Sequence, residues 1–586
     1  MKKRLLAAAL CLSLLTACGG TEVSLAEAPE DSAVIAYVPL DDRPDNVGRV
    51  RYLAESLGYT LEMPERDLYR TALDGQPVNA NGTRYGDRGA LYEWVLAQEA
   101  AGCDRYILFL DQLLSGGLVN SRHMAQHEDI PLSDGTVLTE YALLEQLLTT
   151  LAADGDNQVW LLDSVMRLAP TCGYDGFGLE EYNALREYAM QPRPALSGDE
   201  LSLERVLELY GKADDGGDYA ASDFGLTGRT VADYLSARAR KLELTDRAFR
   251  LLGQFGNEFY PALSSEHFHV LIGIDDSAAE DSIQKNEIAY LRSLLREGDA
   301  LLSGVDDLAF KAVAKLYLDE LGDLWTEPYT AVSYFGGTEE QPACDYDYQP
   351  LTEIMSEHMD FFGMRRAADE TQAELHILVL TQPLDETQKQ TYIDALVKEL
   401  KQLQKQHTLV ILIDAGNGRY GTAFHEALTK HTQLGQLLSY AGFLDMAIVT
   451  GTALSHGAAR YAHLTAGTTS QTEESAFCRT LADSILKDFC YKHIVREDIL
   501  SYVRSLGGDP NNFWLPSIDR AAVLTRLEQG MQDAVAPVVR NLERSSLCID
   551  AAGTMARWGS VTLSAFTFPW DRAFEMDMTL DVVPPS

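Results

Sequence analysis

The feature that most constrains the fold is a series of short, uninterrupted apolar runs. Val34-Ile35-Ala36-Tyr37-Val38 is the first, followed by Tyr106 to Leu110, Val159 to Leu162, Val270 to Ile274 and Ala300 to Leu302. Thr330 to Phe335, His376 to Leu380, Leu409 to Ile413 and Met446 to Val449 continue the series. Runs that do not alternate with polar residues are what a parallel sheet covered on both faces requires. Between them, amphipathic stretches such as Leu308 to Leu321, Gln388 to Gln404 and Ala423 to Thr429 supply the crossovers that parallel strands need. The predicted class is α/β, built from repeated βα units around a mainly parallel sheet. About nine or ten strands admit two architectures: a (β/α)8 barrel with extra elements, or doubly wound open sheets in tandem. The barrel-like form is the expectation.

Residues 174–268 interrupt this rhythm with charged helical sequence and the Asp214-Asp215-Gly216-Gly217-Asp218 loop, and are read as a helical insertion. Near the end, Ser560 to Phe568 and Phe574 to Val583 flank Pro569-Trp570-Asp571-Arg572 and are read as a small antiparallel element. The main body is expected over 33–500, and a C-terminal helix and β region over 501–586.

The first residues address location. Lys2, Lys3 and Arg4 precede the apolar Leu5 to Leu15, and Leu15-Thr16-Ala17-Cys18 has the form of a bacterial lipobox. Residues 1–17 are thus expected to be a lipoprotein signal peptide. Cys18 would be the lipidated residue, and 18–32 a linker from the membrane to an extracytoplasmic body. The 88 acidic side chains against 48 basic ones give a net charge of -40, which repels phosphate backbones; no local basic patch offsets it, so nucleic acid is excluded as a partner. The remaining cysteines, Cys103, Cys172, Cys344, Cys478, Cys490 and Cys548, form no C-x-x-C pair, which argues against a thiolate zinc site.

The chemistry is expected where the apolar runs end. Asp41-Asp42, Asp111, Asp163, Asp275-Asp276, Asp306-Asp307 and Asp414 all stand at such ends. Ligands of parallel α/β folds bind outside the carboxyl ends of the strands, so these acids should gather on one face. A single Asp there is more often a helix cap. Doubled acids repel, and are best tolerated where a cation, a shared proton or a substrate hydroxyl relieves them. We therefore take Asp275 and Asp276 as the candidate catalytic pair, one ionised and one protonated, as glycosidic bond cleavage needs. Asp41, Asp42, Arg43, Asn46, Asp111, Arg122, Glu287 and Asp414 are the candidate substrate-binding residues. Gly116-Gly117 permits close approach to a ligand or a tight turn. No cofactor is expected, although Asp41 and Asp42 with a histidine could position a divalent cation. His123, His127, His425 and His456 are scattered and assign no metal site. The expected ligand is a carbohydrate or another small polar molecule.

These same residues carry a family resemblance. The motifs are Pro39-Leu40-Asp41-Asp42-Arg43-Pro44 with Asn46, Asp111 through Gly116-Gly117-Leu118 to Ser121-Arg122, and Asp275-Asp276 with Glu287. Gly304 with Asp306, Asp414 to Asn417-Gly418, Gly451-Thr452-Ala453 and Pro569-Trp570-Arg572-Phe574-Glu575 complete the set. On them the sequence resembles a bacterial family, the domain of unknown function 4127, from about residue 34 to the end. The resemblance transfers no activity. Ala441 to Ile448 departs from the family pattern, which implies altered specificity or a lost reaction if that segment lines the pocket.

Overall fold

In a computed structural model of the chain, the described residues are 32–583, apart from 126, 256–266, 279–280, 343–345, 444 and 468. The expected signal peptide and Cys18 lie outside them. The chain runs through β1 (Ala33–Val38), β2 (Tyr59–Glu62) and β3 (Arg105–Phe109), then a short hairpin of β4 (Ile130–Pro131) and β5 (Val137–Leu138). β6 (Gln158–Val165), β7 (Phe268–Ile274) and β8 (Ala300–Ser303) follow. These strands, without the hairpin, form one parallel sheet in the order β2-β1-β3-β6-β7-β8. A second parallel sheet comprises β9 (Tyr329–Phe335), β10 (Arg365–Arg366), β11 (Leu375–Thr381), β12 (Leu409–Ala415) and β13 (Ser439–Gly442). Its order is β10-β9-β11-β12-β13.

The strands therefore do not close into the expected barrel; they form two open sheets in tandem, the other architecture that the sequence admits. The cause lies in the side chains. In the first sheet Ala36, Val38, Leu108, Leu161 and Val270 face one core, with Leu91 and Leu147 from the helices Arg88–Ala100 and Glu140–Leu151. Ile35, Tyr37, Ile107, Trp160 and Leu271 face the opposite core, with Val50 and Leu53 of Gly48–Ser56 and Val313 of Leu308–Leu321. That second core also takes Ile377, Val379, Ile411 and Ile413 from the other sheet. One helical layer is thus shared between the two sheets. Leu378, Leu380, Val410 and Leu412 pack outward against a third core with Leu396 and Phe477. The central strands β1, β3, β6, β7, β11 and β12 are covered on both faces, which is why their runs are apolar without alternation.

The shared layer explains one misread element. Met446 to Val449, expected as a strand, begins the helix Met446–Ala466, which is buried on nearly every side. A helix wedged between two sheets is apolar all round and loses the polar face that would mark it in sequence. The strand at this point is β13, just before it. Within 174–268 lie the helices Leu179–Met190, Leu203–Leu209 and Gly228–Phe255. At the C-terminus, β14 (Ser546–Cys548) pairs with β15 (Met555–Arg557), and β16 (Val561–Thr567) with β17 (Asp577–Val582), both antiparallel. No helix among the described residues is long and apolar enough to cross a membrane.

Candidate functional site

The carboxyl ends of the first sheet carry a network of alternating acids and bases. After β1, Asp41 accepts hydrogen bonds from the Arg43 backbone N–H (3.0 Å), from Arg43 Nε (2.9 Å) and from Asn46 Nδ2 (3.0 Å). The other edge of the Arg43 guanidinium donates to both oxygens of Asp306, at 2.9 and 2.6 Å, beyond the end of β8. One planar fork thus ties two strand ends together, a task for arginine rather than lysine. Asp42 points elsewhere: it accepts from Arg66 (2.6 Å) and from Trp570 Nε1 (2.8 Å). Burial pushes the Asp42 carboxyl up, and Arg66 opposes the shift. Trp570 comes from the turn between β16 and β17 and lies under the Arg43 guanidinium, 4.9 Å from it. The C-terminal hairpin is thereby fastened to the β1 end.

Asp275 and Asp276 follow β7. Arg122 lies 2.5 Å from Asp275 Oδ2, and Arg167 lies 3.0 Å from Asp276 Oδ2. Burial raises the Asp275 carboxyl to about 6, against the pull of Arg122, with Asp276 and Asp306 adding repulsion. Burial also lowers Arg122, while Asp275 supports its charge. The side chain of Asp276 is 25% exposed and that of Asp275 only 9%, so the former is the one that meets solvent directly. Asp275, Asp276 and Asp306 line a small pocket whose other wall comes from the second sheet's side of the molecule: Asp347, Asp445, Ala447 and Ile448. Asp347 caps the helix Met446–Ala466 by accepting from the backbone N–H groups of Met446 and Ala447. Asp445, Ala447 and Ile448 bring the end of the 441–448 segment to this pocket.

The other sequence candidates take different places. Asp111 is fully buried, 2.7 Å from Lys241 Nζ, and accepts from Ser164 Oγ at 2.8 Å. Lys241 also pairs with Asp163, which lies inside β6 rather than after it, because that strand runs on to Val165. Gly116 caps the helix Leu110–Ser115 in the left-handed region (φ 79°), where a Cβ would stand 2.9 Å from the Gly86 carbonyl oxygen. The glycine pair therefore makes a tight turn, with no ligand approach needed to explain it. Glu287 sits behind the site in a buried ion pair with Arg238, which also donates to the carbonyl oxygens of Met166 and Arg167. Its reach is to the backbone that holds Arg167. Asp414 is not brought to this network at all, since it is the penultimate residue of β12 in the second sheet.

Around Asp41 and Asp42, the positive charge is supplied by Arg43 and Arg66. Sequence reasoning missed Arg167, Lys241 and Arg238. Arg167 carries a signal, since it stands two residues past β6, at the same kind of strand end as the acids. Lys241 and Arg238 lie within the helix Gly228–Phe255 and carry no local mark of their partners.

Asp414 has its own surroundings. Its Oδ1 accepts from the Gly416 N–H at 3.0 Å, and its Oδ2 is 3.2 Å from His425 Nε2 and 3.9 Å from His493 Nε2. The imidazoles of His425 and His493 are 4.1 Å apart, centre to centre. Burial alone would raise the Asp414 carboxyl, but the hydrogen bond and charge of His425 bring it below its ordinary value. His493 belongs to a π-helical segment, Leu486–Val495, between the helices Gln471–Ile485 and Arg496–Ser505.

The fold and the strand-end network define a two-sheet α/β protein with a charged pocket between its sheets. The chain belongs to the family described as protein of unknown function DUF4127, whose model matches residues 35–579. No curated protein and no solved structure matches the sequence.

Proposed function

We propose that this protein is a glycoside-hydrolase-like enzyme, lipid-anchored through Cys18 outside the cytoplasm, acting on a carbohydrate at the strand-end surface around Asp275 and Asp276, since the pocket that they border, ≈ 20 Å³, is too small to enclose a sugar. One observation carries the reading: two adjacent carboxyl groups border that pocket, and burial raises Asp275 to about 6. A carboxyl that holds its proton near neutrality can protonate a glycosidic oxygen, and the more exposed Asp276 supplies the second carboxylate. Arg43, Arg122 and Arg167 fix the geometry and offer donors to sugar hydroxyls. Asp41, Asp42, Asn46 and Asp111 hold the surrounding strand ends in place. The test is a panel of cell-wall and dietary glycans, with products separated by chromatography, using wild type, Asp275→Asn and Asp276→Asn. Turnover by wild type that falls at least about 100-fold in Asp275→Asn supports the proposal. Equal turnover in all three, or none by wild type on any glycan, rejects it.

A second reading draws on a specific observation as well. The three strand-end carboxylates at the pocket each have a guanidinium partner: Asp275 with Arg122, Asp276 with Arg167 and Asp306 with Arg43. A fully paired set suits a surface lipoprotein that binds a sugar or a metal-bearing ligand without reaction. Thermal stabilisation by a glycan recovered unchanged would favour it.

A further inference from the structure

We propose that Asp414, His425 and His493 form a binding site for one divalent transition-metal ion of the zinc class. The donor set is two imidazoles and one carboxylate, the combination that selects zinc or its neighbours over magnesium and calcium. One ligand atom from each residue lies within 4.8 Å of the others. Donors that share one ion at bond lengths near 2.1 Å stand roughly 3.0–3.4 Å apart. Asp414 Oδ2 stands 3.2 Å from His425 Nε2, already in that range, and 3.9 Å from His493 Nε2, which must close by about half an ångström.

Independently of these distances, His493 Nε2 is buried without a hydrogen-bond partner, on a side chain only 3% exposed, and it faces Asp414. A buried polar nitrogen in that position costs free energy unless something pairs with it. A cation between it and the carboxylate would do so. The elements agree with this. Asp414 is the penultimate residue of a buried parallel strand, next to the carboxyl end where ligands of such sheets bind. His493 lies on a π-helical turn, a deviation that often accompanies functional sites. Three protein ligands leave coordination positions open, and His425 also borders a cavity of ≈ 530 Å³ that offers a way in.

The site is on the second sheet and does not rest on the glycan reading. A chain that binds the ion and cleaves no glycan keeps this proposal and loses that one. The test is titration of the untagged, metal-stripped chain with Co2+, followed by visible absorption and equilibrium dialysis. We expect one Co2+ per chain with ligand-field bands, displaced by Zn2+ and unaffected by Mg2+. His493→Gln and Asp414→Asn, checked for folding by circular dichroism, should each weaken binding at least about 10-fold. Should either variant fail to fold, X-ray absorption of the zinc-loaded wild type decides, since imidazole scattering from two histidines is expected. No stoichiometric Co2+ binding by wild type, equal binding by folded variants, or a zinc spectrum without imidazole would overturn the proposal.

Discussion

At the ends of the first sheet, acids meet arginines and a lysine; at the end of β12 in the second sheet, the acid meets two histidines. Asp41 and Asp306 share Arg43, Asp42 takes Arg66, Asp111 takes Lys241, and Asp275 and Asp276 take Arg122 and Arg167. Asp414 has His425 and His493. A guanidinium is always charged and cannot leave its proton behind, so in the first region the bases are fixed cations and only the acids, Asp275 among them, can change charge. An imidazole can be neutral and present a lone pair, so the second region can receive a cation. Two topologically similar strand ends thus favour different chemistry because of which base the neighbouring helices supply.

If the first region depends on fixed charge pairs, removing one partner of a buried pair should have the largest effect. Glu287→Gln leaves Arg238 buried without its counter-charge, and should cost about 3–5 kcal/mol of stability in urea denaturation. No change would mean that the lattice does not hold this region. Arg43→Lys keeps the charge but loses the fork that joins Asp41 to Asp306; about 2 kcal/mol is expected, with lower affinity for any ligand of the pocket. Trp570→Phe keeps an aromatic ring beside Arg43 but removes the N–H donated to Asp42 together with one ring of a buried indole. It should cost about 1–2 kcal/mol, read from the same denaturation curves.

A different kind of test is the pH slope of stability at the seam between the two regions. Asp488, whose Oδ2 accepts the Gly442 N–H, is pushed up to about 7 by burial, against Arg49. The folded state then keeps a proton that the unfolded chain gives up near its ordinary value of 3.8. Stability from this group is therefore lost as pH rises from about 4 through 7. Asp488→Asn retains an acceptor for Gly442, and its urea midpoint should fall less than that of wild type between pH 5 and pH 8. A steeper fall in the variant would contradict the assignment.

The sequence made part of this legible. Continuous apolar runs such as Leu409 to Ile413 revealed buried parallel strands, because both faces of each strand must be covered. Strand closure was not legible, since barrel and open sheet use the same runs and differ in which edges meet. β2 went unread because its four residues alternate between buried and more exposed positions at a sheet edge. The doubled acids stood out, and Asp275-Asp276 does border a pocket. Their partners did not: Arg43 and Asp306 are 263 positions apart, and nothing local marks such a pair. His493 was passed over for the same reason, since it meets Asp414 only through the packing of a π-helical turn against the end of β12.

The central claim is that Asp275 retains its proton well above the ordinary carboxylate range while it borders the pocket. Carboxyl-13C NMR of aspartate-labelled protein, titrated from pH 3 to pH 8, tests it directly. The prediction is a resonance with a midpoint near pH 6 that disappears in Asp275→Asn and persists in Asp307→Asn, which controls for the other carboxyl that burial raises to about 6. If the resonance lost in Asp275→Asn instead titrates near 3.8, the proton donor assigned to this pocket does not exist.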